Sequence, residues 1–355
     1  MSMPILGELL QYDASHRETT MRKAEAVERL CGRWALAYPG RLIATEIVAA
    51  ACELGLISDR KQAEILSSDR FWYPDISDVF SGLNQRIITG AISELDTMGI
   101  HSRVARRQAK KLAKKIDVAS FASKAAPQMA EKYGLPIDVI TRSIVALLKG
   151  RSTPEEASHT LFRAIAEPKK FVEMYFEKVE TDRNLPSWIG GLGRDIEHQL
   201  ITMRERLNPY LAADGASQIL KNLLANWPMQ LAKIPFSIVA DEIAALGIDT
   251  DQSATLASDP KFVARVPSAQ IMGQVVTAYV RQILGQNASI EHSFGGDLIH
   301  ALYLPYVDLW RGDRRFSSII SSALPAYSDR IIAVPKNLPT AIDNWNAGTK
   351  ATQAV

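Results

Sequence analysis

Asp297, His300, Asp308 and Asp313 fall close together near the carboxyl end of the chain. Carboxylates brought together repel, and each raises the pKa of the other unless a cation neutralises the group. Magnesium or manganese takes oxygen ligands and keeps several waters, so a few carboxylates without cysteine suit either ion. An ion held that way lowers the pKa of an attacking water and stabilises charge on a phosphoryl transition state. Each residue also has an ordinary use: Asp297 as a helix cap, Asp308 as a strand-end residue and Asp313 in a turn. His300 lies three residues after Asp297, hence on the same helical face, where it could touch phosphate, orient a carboxylate or simply pack.

Written as a pattern, the stretch from Asp297 to Phe316 is D-x-x-H-A-x-Y-x-P-Y-V-D-x-x-x-x-D-x-x-F. It resembles the C-terminal half of the PIN-like nuclease domains. The resemblance implies a metal-dependent endoribonuclease in a toxin–antitoxin or phage-defence setting, with RNA as substrate, magnesium or manganese as cofactor, and a protein partner or antitoxin. It also implies that Asp297, at the start of the penultimate helix, and Asp313, after the following strand, hold the metal, with Asp308 and His300 in supporting positions. Arg311 stands where such domains usually carry Ser or Thr. A further acid should come from the N-terminal end. Glu46 matches one register; Glu8 matches another, in which an earlier strand would precede the chain's first residue. The first Asp of these domains has no convincing counterpart, so a catalytically degenerate helical scaffold or interaction protein is the rival reading.

A second candidate surface is basic. Arg103, Arg106, Arg107, Lys110, Lys111, Lys114 and Lys115 recur at three- and four-residue intervals with no intervening carboxylate. On a helix they form one positive stripe, suited to a phosphate backbone or to solvent. The Gly190-Gly191-Leu192-Gly193 run follows a helix-like segment rather than a strand, fails the context test for a phosphate cradle, and reads as a helix–helix loop. No histidine spacing suggests a zinc hydrolase.

The elements that must position these residues are expected as follows. Asp297 opens a helix that Pro305 stops, 307–310 is a short buried strand, and Gly312-Asp313 is the turn beyond it. In a parallel sheet, Asp313 would then lie beyond a strand's carboxyl end, where such folds place their sites. Near the other terminus, 19–31 reads as a helix, 34–38 as a strand, and 41–54 as a helix with Leu42, Ile43, Ile47 and Val48 on one face. Residues 59–81 form an aromatic-containing transition. The stretch from about 82 to 288 is helical throughout, broken by prolines and glycines. Its clearest helix, 268–284, is capped by Ser268 and carries Ile271, Val275, Tyr279 and Ile283 at helical spacing. Residues 331–335 read as the last strand.

The expected fold is mostly α, with a small α/β, PIN-like parallel layer formed by the two chain ends (1–65 and 289–343). A long all-helical insertion spans 66–288, and a disordered tail covers 344–355. With 355 residues, 47% hydrophobic and 23% charged, the composition is that of an ordinary globular chain, and a net charge of +2 does not by itself select nucleic acid. Cys31 and Cys52 have no metal-ligand spacing, the N-terminus has no signal-peptide pattern, and no apolar run is long enough to span a bilayer, so a cytoplasmic protein without membrane contact is expected.

Overall fold

Alanine-, leucine- and lysine-rich segments punctuated by proline give a predominantly helical chain. The computed structural model describes residues 1–10, 14–58, 65–67, 71–81, 118–179, 187–211, 216–245, 247–285 and 289–353, with isolated positions between 83 and 107. The chain divides into two compact units. One comprises Met1, Leu6–Trp34 and Ser68–Ile189; the other comprises Ser2–Ile5, Ala35–Ser67 and Gly190–Val355. The division therefore runs through the helical stretch expected as a single insertion over 66–288, and its later half joins the C-terminal elements.

In the first unit, helix Val118–Tyr133 packs on Ile137–Leu148, which packs on Pro154–Arg163, while Pro168–Val179 packs on Arg17–Cys31. Helix Pro154–Arg163 begins at a reciprocal cap. Thr153 Oγ1 accepts from the Glu156 amide at 3.2 Å, and the Glu156 carboxylate accepts from the Thr153 amide at 2.9 Å. The Phe71-Trp72-Tyr73 run, expected as a transition, belongs to the core. Tyr73 stacks on Phe162 with ring centroids 5.0 Å apart. The indoles of Trp72 and Trp188 donate to the Ala166 and Tyr133 carbonyls at 3.0 and 2.9 Å, so large rings are buried with their N–H groups satisfied.

In the second unit, helix Pro39–Glu53 has proline in its first turn and buries Leu42, Ile43, Ile47 and Val48, the face its spacing implies. Helix Pro267–Gly285 buries Ile271, Val275, Tyr279 and Ile283 in the same way. It lies so close to helix Ala216–Leu231 that a Cβ on Gly273 would strike the Pro228 carbonyl oxygen.

Strand structure is sparser than expected. Trp310–Arg311 pairs in parallel with Ile331–Ile332, in the register Trp310↔Ile331 and Arg311↔Ile332. Ala35–Leu36 pairs antiparallel with Leu66–Ser67 in a separate ladder. The parallel pair is thus built from the C-terminal segment alone, and the 34–38, 307–310 and 331–335 strands shrink to two residues each. At 307–310 the reason is local: Leu304–Tyr306 forms a 3-10 turn around Pro305, and Asp313 starts a new helix two residues after the strand.

Three further expectations are corrected. Gly190, Gly191 and Gly193 lie inside the 25-residue helix Ser187–Leu211 rather than in a loop. Asp297 does not open its helix, which spans Phe294–Ala301; its amide donates to the Ser293 carbonyl at 3.0 Å, one turn in. Of the tail expected to be disordered, residues 344–353 belong to helix Leu338–Gln353, where alanine, lysine and glutamine favour helix and Pro339 sits harmlessly in the first turn.

Candidate functional site

The motif and the Glu46 segment meet in the second unit through two tyrosines of the motif rather than through its aspartates. Tyr303 donates its hydroxyl to the Ala37 carbonyl at 2.7 Å, and Tyr306 donates to Glu46 Oε1 at 2.7 Å. Glu46 Oε2 accepts from the Ser268 amide at 2.8 Å. Glu46 is 4% exposed, so both carboxylate oxygens are spent on neutral donors inside the core.

The Ser268 contact follows from how a helix starts. Pro267 occupies the first helical position and has no amide hydrogen. The amides of Ala269 and Gln270 turn back to the Val266 carbonyl at 3.0 and 3.2 Å. The Ser268 amide is the first-turn donor left over, and Glu46 caps it from another helix, at the end where the helix dipole favours negative charge. Ser268 is therefore the capped residue and not the cap. Two turns along the same face from Glu46, Glu53 pairs with Arg265 Nη1 at 3.0 Å, an exposed pair of small energetic value that repeats the attachment.

Burial pushes the Glu46 carboxyl up to about 7, against the opposing pull of the Ser268 amide and the Tyr306 hydroxyl. Burial likewise raises Tyr306, and the neighbouring Glu46 charge adds to it. His300 is held down to about 4, first by burial and then by the Arg311 charge, so its imidazole is neutral at physiological pH. Its ring lies 5.2 Å from the Trp310 ring, and the Trp310 indole donates to the His300 carbonyl at 3.2 Å. His300 is thus a packing histidine in an aromatic group with Trp310 and Phe316, to which Phe294 adds an edge-on contact at 5.7 Å and Tyr279 a stack at 3.7 Å.

Asp313 caps helix Arg314–Ala323, its Oδ1 accepting from the Arg315 and Phe316 amides at 2.8 and 3.0 Å. Asp313→Ala is expected to cost about 1 kcal/mol, read as a lower denaturant midpoint, because those two amides lose their acceptor. Asp308 is exposed and Asp297 half-buried. Glu8 is exposed and belongs to the other unit. Among the described residues, no three His, Cys, Asp or Glu side chains gather as a ligand set for a metal. Glu46, already saturated and disposed to hold a proton near neutrality, is a poor ligand for a hard cation, and the donor set does not fit a magnesium or manganese centre.

Of the basic stripe, Arg103 and Arg107 are exposed and helical, whereas Arg106, Lys110, Lys111, Lys114 and Lys115 lie outside the described residues. No described helix is long and apolar enough to cross a membrane.

The contacts of Tyr303 and Tyr306, the donor role of Ser268 and the close approach of Gly193 and Gly295 are not foreshadowed by the sequence. A Cβ on Gly193 would come within 3.0 Å of the Gly295 backbone, so helices Ser187–Leu211 and Phe294–Ala301 cross with main chains in contact. The two tyrosines were visible as the Y-x-P-Y of the motif, but nothing in their spacing named an acceptor. No protein-family model, curated protein or solved structure matches the chain significantly.

Proposed function

We propose that the chain is a helical scaffold that acts by binding a protein partner, with a PIN-like motif turned to structural use. The observation that carries this reading is the state of Glu46: a buried carboxyl whose two oxygens are taken by Ser268 and Tyr306 serves as a joint between elements. Asp313 as a helix cap and His300 as an aromatic packing partner support the same reading.

The second reading is a metal-dependent endoribonuclease resembling PIN-like enzymes, with RNA as substrate and Asp297 and Asp313 holding magnesium or manganese. The favouring observation is that Asp297, in the first turn of Phe294–Ala301, and Asp313, the cap of Arg314–Ala323, belong to one unit and follow each other in the order the resemblance implies. It requires Glu46 to leave both of its present partners.

One experiment separates the two. The purified chain and Asp297→Asn are each incubated with single-stranded RNA and either ion. The scaffold reading expects no cleavage above the variant's background. Metal-dependent cleavage that Asp297→Asn abolishes, with circular dichroism unchanged, establishes the nuclease instead.

A further inference from the structure

Glu46 occupies a joint where three elements of the second unit converge: its own helix Pro39–Glu53, the first turn of Pro267–Gly285, and the Leu304–Tyr306 turn. We propose that Glu46 is a proton-operated latch, in which the protonated carboxyl holds these three elements together and loss of the proton loosens the joint. The latch rests on the scaffold reading, in which Glu46 keeps both of its present partners.

The argument is one of charge and burial. A neutral carboxyl can stay in the core accepting from Ser268 and sharing a hydrogen bond with Tyr306. An ionised one is a desolvated charge that calls for water or a cation. Among the described residues, no cation acts on it. The groups on the surrounding elements do not supply one. On the Leu304–Tyr306 turn the titratable group is Tyr306 itself. Helix Ile234–Ile238, packed on Pro39–Glu53, carries no charge, and Ala240–Ala245 brings only Asp241 and Glu242, which add negative charge. At the start of Pro267–Gly285, Arg265 is turned to Glu53. Beyond the turn, Tyr327 adds to the electrostatic load on Tyr306, and Arg330 Nη1 is directed to the Val307 carbonyl at 3.3 Å.

The sign follows from linkage. Opening the joint lets the carboxyl return to its ordinary value of 4.5, whereas closed it titrates near 7. Between those values opening releases a proton, so each rise in pH favours the open form; above the closed value the dependence ends. The joint is tight in mild acid and loosest at and above neutrality. From about pH 5 to about pH 7, the closed fraction's protection should fall roughly thirtyfold by this linkage.

The test is hydrogen exchange of the full chain at those two pH values, read by mass spectrometry on peptides covering 266–271 and 303–309 and corrected for the intrinsic pH dependence of exchange. Wild type should lose protection in both peptides on going to the higher pH. Glu46→Gln, which is neutral at both, should show no residual pH dependence. Corrected protection equal at both pH values in wild type, or a pH dependence retained in Glu46→Gln, overturns the latch. Should Glu46→Gln not fold, Tyr306→Phe decides: without the hydroxyl that lowers the carboxyl's pKa, the upper edge of the pH window must move upward. An unmoved edge overturns the proposal.

Discussion

Glu46→Ala should lower the unfolding free energy of the second unit by about 3 kcal/mol, whereas Glu46→Gln should lower it by less than about 1 kcal/mol, both read from denaturant titration in mild acid. Alanine leaves two donors without acceptors, the buried Ser268 amide and the part-buried Tyr306 hydroxyl, and opens a cavity where Glu46 is 4% exposed. Each stranded donor carries a desolvation cost of about 1–3 kcal/mol. Glutamine keeps the volume, accepts from the Ser268 amide through its carbonyl, and can donate to the tyrosine oxygen through its amide group. The comparison isolates hydrogen bonding from charge. Equal and small losses for the two variants would mean that the joint opens at little cost, and Glu46 would then be no structural centre.

The same residue shows what the sequence could convey. Helix Pro39–Glu53 is legible because Leu42, Ile43, Ile47 and Val48 recur at helical spacing, and Glu46 stands out as an acid among them. Its occupation was not legible, because the partner amide lies 222 residues away and a backbone donor leaves no mark in a side-chain pattern. Helix Pro267–Gly285 was visible for the same reason as Pro39–Glu53. Its true first residue was misread, since Ser at a helix start usually accepts, whereas here proline removes one amide and leaves Ser268 as the donor. The strands were over-extended because a short apolar run such as 307–310 looks alike in a strand, a 3-10 turn and a buried loop. The sequence leaves Asp313 open as a metal ligand or a turn residue; in the structure it is a helix cap, with one oxygen accepting from the Arg315 and Phe316 amides.

Gly295→Ala and Gly296→Ala, one residue apart, should have opposite effects. A Cβ on Gly295 would sit on the Gly193 carbonyl, while a Cβ on Gly296 meets nothing within 4 Å. The first contact is backbone against backbone, so no rotamer change relieves it, and the two helices must separate and give up the packing around Phe294 and Leu298, both buried. The expected loss is about 3 kcal/mol, the upper end for overpacking. At Gly296 the new methyl group only restricts the unfolded chain and improves helix propensity, a gain of about 0.5–1 kcal/mol. Gly193→Ala tests the same crossing from the other side: its Cβ would lie 3.0 Å from the Gly295 carbonyl carbon, so it should also destabilise, and combining it with Gly295→Ala should cost less than the sum of the two. Measured as melting temperatures of the intact chain, a tolerated Gly295→Ala would mean that these helices do not cross main chain to main chain. The run of glycines in Ser187–Leu211 would then need another explanation. If the contrast with Gly296 holds, the glycines at 193 and 295 are there for close approach of two helices, which is why a glycine-rich run that resembled a phosphate loop lies inside a helix.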